Sequence, residues 1–306
     1  MAQKDVAITV FGPTASGKTG MSIGLANTFN GSIINADSRQ VYKRMPIITA
    51  MPSDEEFAAA EHRLFNFLEP DEPFDVNQYI ELATHEAGDL WRQGKVPIFV
   101  GGTGFYLQGL EEGISPIPVS DPSIREALMA EVEKVGIEQL HQKLQQVDPK
   151  LAETLHATDT QRVLRGLEVF EATGKPLSQW QKQPKAGALD CRFIKIAIIP
   201  PREVLYERIH KRFDIMLEEG LVDEMKALKA KGYSPNLSSM TSLGVQEFFS
   251  YLDGNMSFED ACGKTLQYMR NYAKRQCTWL RNQYNADIVL EKGDAQTACA
   301  AVEKLL

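Results

Sequence analysis

The octad Gly12-Pro13-Thr14-Ala15-Ser16-Gly17-Lys18-Thr19 spaces glycines, a lysine and hydroxyls as a phosphate cradle does. Glycines at this spacing let backbone amides curl around phosphate oxygens, and the helix that follows adds a positive partial charge. Lys18 neutralises, and Thr19 is the hydroxyl expected to hold Mg²⁺. The octad lies between a predicted strand, Val6 to Phe11, and a helix-compatible stretch from Gly20 to Ala26, which is the context the cradle needs. A diphosphate-bearing small molecule is the expected ligand. Asp37 is the one acidic residue placed directly at the end of an early apolar run, Ser32 to Ala36. A carboxylate there accepts a proton or helps hold a metal, or else caps a turn. Thr103 follows Gly101-Gly102, which leave the backbone room to approach a ligand, although Gly-Gly-Thr-Gly also makes a plain turn. The run Val96 to Val100 ends in those glycines and not in the Mg²⁺-binding aspartate of NTP-hydrolysing motors, which disfavours hydrolysis-driven work.

Two basic stretches are candidates for anion contacts. Arg208 and Arg212 share a helix face four residues apart, so at least one can reach a diphosphate from the side opposite Lys18. A solvated face paired with Glu203 and Glu207 accounts for them equally well. From Lys264 to Arg281 there are five basic residues and no acidic one, and Tyr268, Tyr272, Arg275 and Trp279 recur at helical spacing. Such rings either stack on single-stranded nucleic acid or lie in the core.

The elements that must position these residues are legible as apolar runs. Val6–Phe11, Ser32–Ala36, Val96–Val100 and Phe193–Ile199 alternate with helical patterns, which predicts an α/β fold: a P-loop NTPase-like parallel sheet flanked by helices. In such sheets ligands sit at the carboxyl ends of the strands, where the cradle, Asp37-Ser38 and Gly101-Gly102-Thr103 should converge. Residues 120–189 read as an all-helical insertion, with caps at Ser120-Asp121-Pro122 and Asp148-Pro149, so the core is discontinuous, 1–119 plus 190–306. From Glu203 onward the pattern is mainly helical, broken at Gly232 to Asn236.

A formal net charge of −8 over 306 residues argues against non-specific coating of nucleic acid and leaves room for a local basic groove. The apolar stretch Val6–Phe11 is too short for a signal-peptide core or a membrane span, which predicts a cytoplasmic protein with no membrane partner. Cys191, Cys262, Cys277 and Cys299 form no Cys-x-x-Cys pair and are expected to be reduced, and the five histidines show no metal-ligand spacing.

Gly12 to Thr19, Asn35-Ala36-Asp37-Ser38-Arg39-Gln40-Val41-Tyr42, Val100 to Leu107, Asp159 to Val169 and Lys274-Arg275-Gln276-Cys277-Thr278-Trp279-Leu280-Arg281 together resemble, in order, the tRNA dimethylallyltransferase (isopentenyltransferase) family. The resemblance spans nearly the whole chain. It implies transfer of a dimethylallyl group from dimethylallyl diphosphate to the exocyclic amine of the adenosine 3′ of the tRNA anticodon, with Mg²⁺ as cofactor. By resemblance, Gly12 to Thr19 hold the diphosphate, Asp37 is the general base, Thr103 lies beside adenine and diphosphate, and Arg212 steadies the departing diphosphate. Asp37, Ser38, Arg39, Gln40, Thr103, Arg125, Gln161, Arg162, Val163, Leu164 and Arg165 are implied to contact the anticodon stem-loop of tRNA, and the chain is expected to act as a monomer. The chemistry is coherent: an aromatic amine is a poor nucleophile, so the allylic carbon must gain positive charge as diphosphate leaves, and the target base must be out of any duplex.

Two stretches depart from the family pattern. Tyr42-Lys43-Arg44-Met45-Pro46-Ile47-Ile48-Thr49-Ala50-Met51-Pro52 stands where relatives have Tyr-(Arg/Lys)-Gly-Met-Asp-Ile-Gly-Thr-Ala-Lys-Pro, and Leu243-Gly244-Val245-Gln246-Glu247 where they have Ile-Gly-Tyr-(Lys/Arg)-Glu. Other readings of the same cradle are a small-molecule kinase using ATP, a prenyltransferase acting on free adenosine monophosphate, and a non-catalytic RNA-binding protein. A kinase leaves the insertion and the basic aromatic stretch unexplained.

Overall fold

The computed structural model describes residues 5–306; residues 1–4, which the sequence places at the start of the core, lie outside the described residues. The chain divides into two compact units, one running up to Glu111 and resuming at Leu189–Leu306, the other Glu112–Ala188. Residues 112–119, assigned to the core by sequence, thus go with the helical unit. The reason is local pairing: Ile114 exchanges both backbone hydrogen bonds with Ala186 at 2.9 Å, which ties the two ends of the insertion together.

The first unit opens with β1 (Val6–Phe11), α1 (Lys18–Thr28), β2 (Gly31–Asn35), α2 (Asp54–Ala59), β3 (His62–Arg63), α3 (Val76–Arg92), β4 (Val96–Gly101) and α4 (Gly104–Glu112). The helical unit holds α5 (Pro122–Val135), α6 (Ile137–Val147), α7 (Pro149–Ala152), α8 (Thr160–Thr173) and α9 (Leu177–Trp180). The chain returns through β5 (Arg192–Ile198), α10 (Arg202–Glu218), α11 (Leu221–Ala230), α12 (Val245–Leu252), α13 (Phe258–Gln283), β6 (Ile288–Leu290) and α14 (Ala295–Glu303).

The six strands form one sheet in the order β3-β2-β4-β1-β5-β6, and each neighbouring pair is parallel. Parallel strands covered on both faces need no polar alternation, which is why β1 reads as a near-continuous apolar run with five of its six residues buried. Ile8, Val10, Ile33, Ile98 and Ile196 pack with Met21 and Leu25 of α1 and Val302 of α14. A second core joins Tyr42 and Met45 to Phe213 of α10, Phe248 of α12 and Met269 of α13. Four strands stand within a residue or so of the apolar runs. The edge strands β3 and β6, two and three residues long, carry too little pattern to be seen in sequence.

Caps in the helical unit follow the sequence signals. Asp121 accepts from the Ser123 amide and Asp148 from the Leu151 amide, each with proline at the first helical turn. Leu128, Leu140, Leu144, Val163, Leu164 and Leu167 form the unit's own core.

Candidate active site

Where β1 ends the chain must turn back sharply into α1, and the octad supplies the turn: Ala15 and Gly17 take left-handed φ of 61° and 92°, and Lys18 opens the helix. The Lys18 ammonium folds onto the loop and donates to the Gly12 and Pro13 carbonyls at 2.8 and 2.9 Å. Burial pushes its pKa down to about 8; nearby Asp37 raises it in part, and Arg212 lowers it further. The Ser16 hydroxyl is buried with no hydrogen-bond partner and lines the same cavity as Thr14, Lys18, Thr19, Asp37 and Arg212. An unsatisfied buried hydroxyl beside a buried ammonium that is still charged at neutral pH is a site built for an anion.

Asp37 follows β2. Asn35 braces it on both sides, accepting from the Asp37 amide at 2.8 Å and donating to its carbonyl at 3.0 Å. Asp37 Oδ1 accepts from the Arg39 amide at 2.9 Å, so the carboxylate caps a turn and also faces the cavity. Gly101, at the end of β4, has room for no side chain, because a Cβ there would overlap the backbone of Ala36. That close approach brings the next loop over: Thr103 Oγ1 accepts from the Ser38 amide at 2.9 Å, and a Cβ on Gly102 would stand 3.5 Å from Asp37 Oδ2. The glycines therefore serve approach, and the cradle, Asp37 and Thr103 do meet at the carboxyl ends of β1, β2 and β4.

On α10, Arg208 and Arg212 face the cradle. Arg208 donates to the Ser16 carbonyl at 3.3 Å, and Arg212 lines the cavity, its pKa lowered by burial and partly restored by Glu56. The solvated-face account of this pair does not hold.

The basic stretch resolves differently. Trp279 packs edge-on to Phe11 at 5.0 Å and fills the space beside Gly104, so its ring is half-buried against the end of β1 and the loop after β4. Tyr268 and the cations Lys264, Lys274, Arg275 and Arg281 are exposed. Sequence reasoning missed Gln276 of α13, which is 5% exposed, accepts from the Thr14 amide at 3.0 Å and donates to the Gly102 carbonyl at 2.8 Å. The available signal was position: Met269, Ala273, Gln276 and Leu280 share the buried stripe, and a glutamine on such a stripe needs partners.

Of the residues implied to touch RNA, Ser38 and Thr103 bond each other, Arg39 donates to the Ser238 carbonyl, and Gln40 donates to the Thr49 and Ala50 carbonyls at 3.1 and 2.7 Å. In the helical unit Gln161 and Arg162 are exposed, while Arg125 and Arg165 both pair with Glu168, at 3.2 and 2.7 Å. Val163 and Leu164 are corrections: at 0% and 4% exposure their side chains are core of the helical unit and cannot reach an RNA. The first departing loop carries backbone strain. Arg44 replaces a glycine yet adopts φ 66°, roughly 1 kcal/mol of left-handed strain, while Ile48, in the second glycine's place, is buried in the core. In the second stretch, Val245 is buried and Gln246 donates to the Met240 carbonyl, so neither offers a cation or ring to a ligand.

With this geometry in place, comparison with known proteins decides the family. The IPP transferase family model matches residues 40–283, and the Isopentenyl transferase model matches 6–67. The chain belongs to the IPP transferase family. Among IPP transferase relatives, the tRNA dimethylallyltransferase of Syntrophobacter fumaroxidans is 44% identical over 274 residues, covering 90% of this chain and 80% of that protein. That of Bartonella henselae is 42% identical, covering 92% and 97%. The tRNA delta(2)-isopentenylpyrophosphate transferase of Staphylococcus epidermidis has the same fold, with TM-score 0.70 and 36% identity over 99% of this chain and 98% of that one. A eukaryotic dimethylallyltransferase solved acting on tRNA superposes with TM-score 0.81 and 28% identity over 98% of this chain and 79% of its own. Among the described residues no helix is long and apolar enough to cross a membrane.

Proposed function

We propose that this IPP transferase moves the dimethylallyl group of dimethylallyl diphosphate to the exocyclic amine of the adenosine 3′ of a tRNA anticodon, releasing diphosphate. One observation carries the reading: a single cavity is lined by the cradle, Arg212 and the strand-end carboxylate of Asp37, while the metal-binding aspartate of a hydrolytic motor is missing from the end of β4. The relatives named tRNA dimethylallyltransferase support tRNA as acceptor and dimethylallyl as the group moved, and the lining of the cavity suits a diphosphate donor.

In the proposed reaction the allylic C–O bond breaks, a C–N bond forms, and the amine proton passes to the Asp37 carboxylate. The leaving diphosphate carries the charge, which Lys18 and Arg212 stabilise from two sides while the cradle amides and the Ser16 hydroxyl bond its oxygens. Among the described residues no group of three or more His, Cys, Asp or Glu is placed to hold a metal. The Mg²⁺ of this reading is a hard cation that binds through one or two protein oxygens and the phosphates themselves, and Thr19, which lines the cavity, is the hydroxyl that would hold it. Bound there, Mg²⁺ would neutralise charge on the leaving diphosphate.

The exposed Gln161 and Arg162 of α8, with the half-buried Arg165 of α8 and Arg125 of α5, are the proposed tRNA contacts of the helical unit, and Ser38, Arg39, Gln40 and Thr103 those of the core. The protein acts as a monomer in the cytoplasm in this reading. The test is incubation with labelled dimethylallyl diphosphate, with total tRNA or with adenosine monophosphate, with and without Mg²⁺. Label in tRNA next to the anticodon is expected; label in the mononucleotide alone, or phosphate transfer from ATP to a small acceptor, overturns the proposal.

A further inference from the structure

The diphosphate cradle and the Gly101-Gly102-Thr103 loop hang from different strands, β1 and β4, and nothing covalent fixes the gap between them beyond the strands themselves. The direct backbone link is a long one, the Gly12 amide to the Gly101 carbonyl at 3.4 Å. Deeper in the loops the gap is spanned by one side chain from a helix more than 250 positions later. The Gln276 amide accepts from the Thr14 N–H at 3.0 Å with Oε1 and donates to the Gly102 carbonyl at 2.8 Å with Nε2.

The orientation of the amide is dictated by its partners, since the Thr14 N–H can only donate and the Gly102 carbonyl can only accept. No other uncharged side chain of this length supplies both an acceptor and a donor in one plane. Tyr272, one turn earlier on α13, brings its hydroxyl to the same carbonyl at 3.5 Å, so two side chains of that helix converge on Gly102. A Cβ on Gly102 would overlap Gln276 Nε2, which accounts for the second glycine of the pair.

We infer that Gln276 is a positioning residue for transfer: it sets the distance between the groups that hold the diphosphate and the loop that places Thr103 beside Asp37. This rests on the transfer reading above. The amine must approach the allylic carbon in line with the leaving group, and a misplacement on the order of 1 Å costs about 100-fold in rate. Gln276 touches neither substrate in this scheme. Its loss therefore lowers kcat and leaves the apparent affinity for tRNA nearly unchanged.

The test compares the parent protein with Gln276→Glu, Gln276→Leu and Gly102→Ala, each checked for parental circular dichroism and melting, with kcat and KM measured from pH 6 to 8.5. Gln276→Leu leaves both backbone groups without a partner and is expected to lower kcat at least tenfold at every pH, with KM for tRNA within about twofold. In Gln276→Glu an ionised carboxylate opposes the Gly102 carbonyl, whereas a protonated one donates to it. Burial raises the pKa of that new carboxyl, so the kcat of this variant relative to the parent should rise at least threefold from pH 8 to pH 6. A role in packing alone gives no such pH-dependent ratio. Gly102→Ala presses on the amide from the other side and should lower kcat like Gln276→Leu. A flat ratio for Gln276→Glu, or parental kcat in Gln276→Leu and Gly102→Ala, overturns the inference. A parent that transfers no prenyl label overturns the transfer reading, and the role of Gln276 falls with it.

Discussion

The backbone amide of Ser38 donates to the hydroxyl of Thr103 over 2.9 Å, so the loop that carries Asp37 and the loop that closes β4 move as one piece. Thr103→Ala removes the acceptor and loosens Asp37 from the cradle. We expect kcat to fall about 10-fold to 100-fold, the scale of losing a positioned group, while Thr103→Ser keeps the hydroxyl and stays near the parent. Equal losses in the two variants would place the effect in the methyl group instead.

Asp37→Ala is expected to lower prenyl transfer by roughly 100-fold or more, the usual scale for a positioned base, with binding of inorganic diphosphate retained in calorimetry. Loss of both together would assign Asp37 to the metal.

Lys18 gives the free protein a pH dependence. Its pKa is depressed to about 8, so the ammonium is present below that pH and lost above it. Affinity for the diphosphate should hold up to about pH 7.5 and then weaken, by roughly tenfold at pH 9 for a single group of this pKa. Bound diphosphate stabilises the ammonium, so the same inflection moves to higher pH in kcat than in kcat/KM. Superimposable profiles would remove Lys18 from the free-protein titration.

Gly101→Ala forces a methyl group into the Ala36 backbone, which cannot move without parting β2 from β4. A cost of about 3 kcal/mol in denaturant unfolding is expected, the upper range for overpacking. A loss under about 1 kcal/mol would mean the strand ends are looser than drawn.

On α8, Arg162 and Val163 are adjacent and opposite in character. The Arg162 side chain is 73% exposed, with only Asp159 at 3.6 Å, so Arg162→Ala should weaken tRNA binding and flatten its salt dependence by about one charge, leaving stability unchanged. Val163→Ala, in the core, should lower stability by about 1 to 3 kcal/mol and leave the salt slope alone. A titration of tRNA affinity against salt separates them.

What the sequence determined by itself was chemistry that is written locally. The cradle, the four central strands, the caps at Asp121 and Asp148 and the strand-end place of Asp37 depend on neighbours within a few residues, and local sequence dictates such contacts. Family membership was legible for the same reason, as a row of short motifs. Only the tertiary structure decided which side of each ambiguous helix faces inward. It put Arg208 and Arg212 on the cradle, set Trp279 against Phe11, buried Val163 and Leu164, and drew Gln276 into the gap between two loops. Those outcomes depend on packing between segments far apart in the chain: helical spacing shows which residues share a face, and only the neighbouring elements show what that face meets.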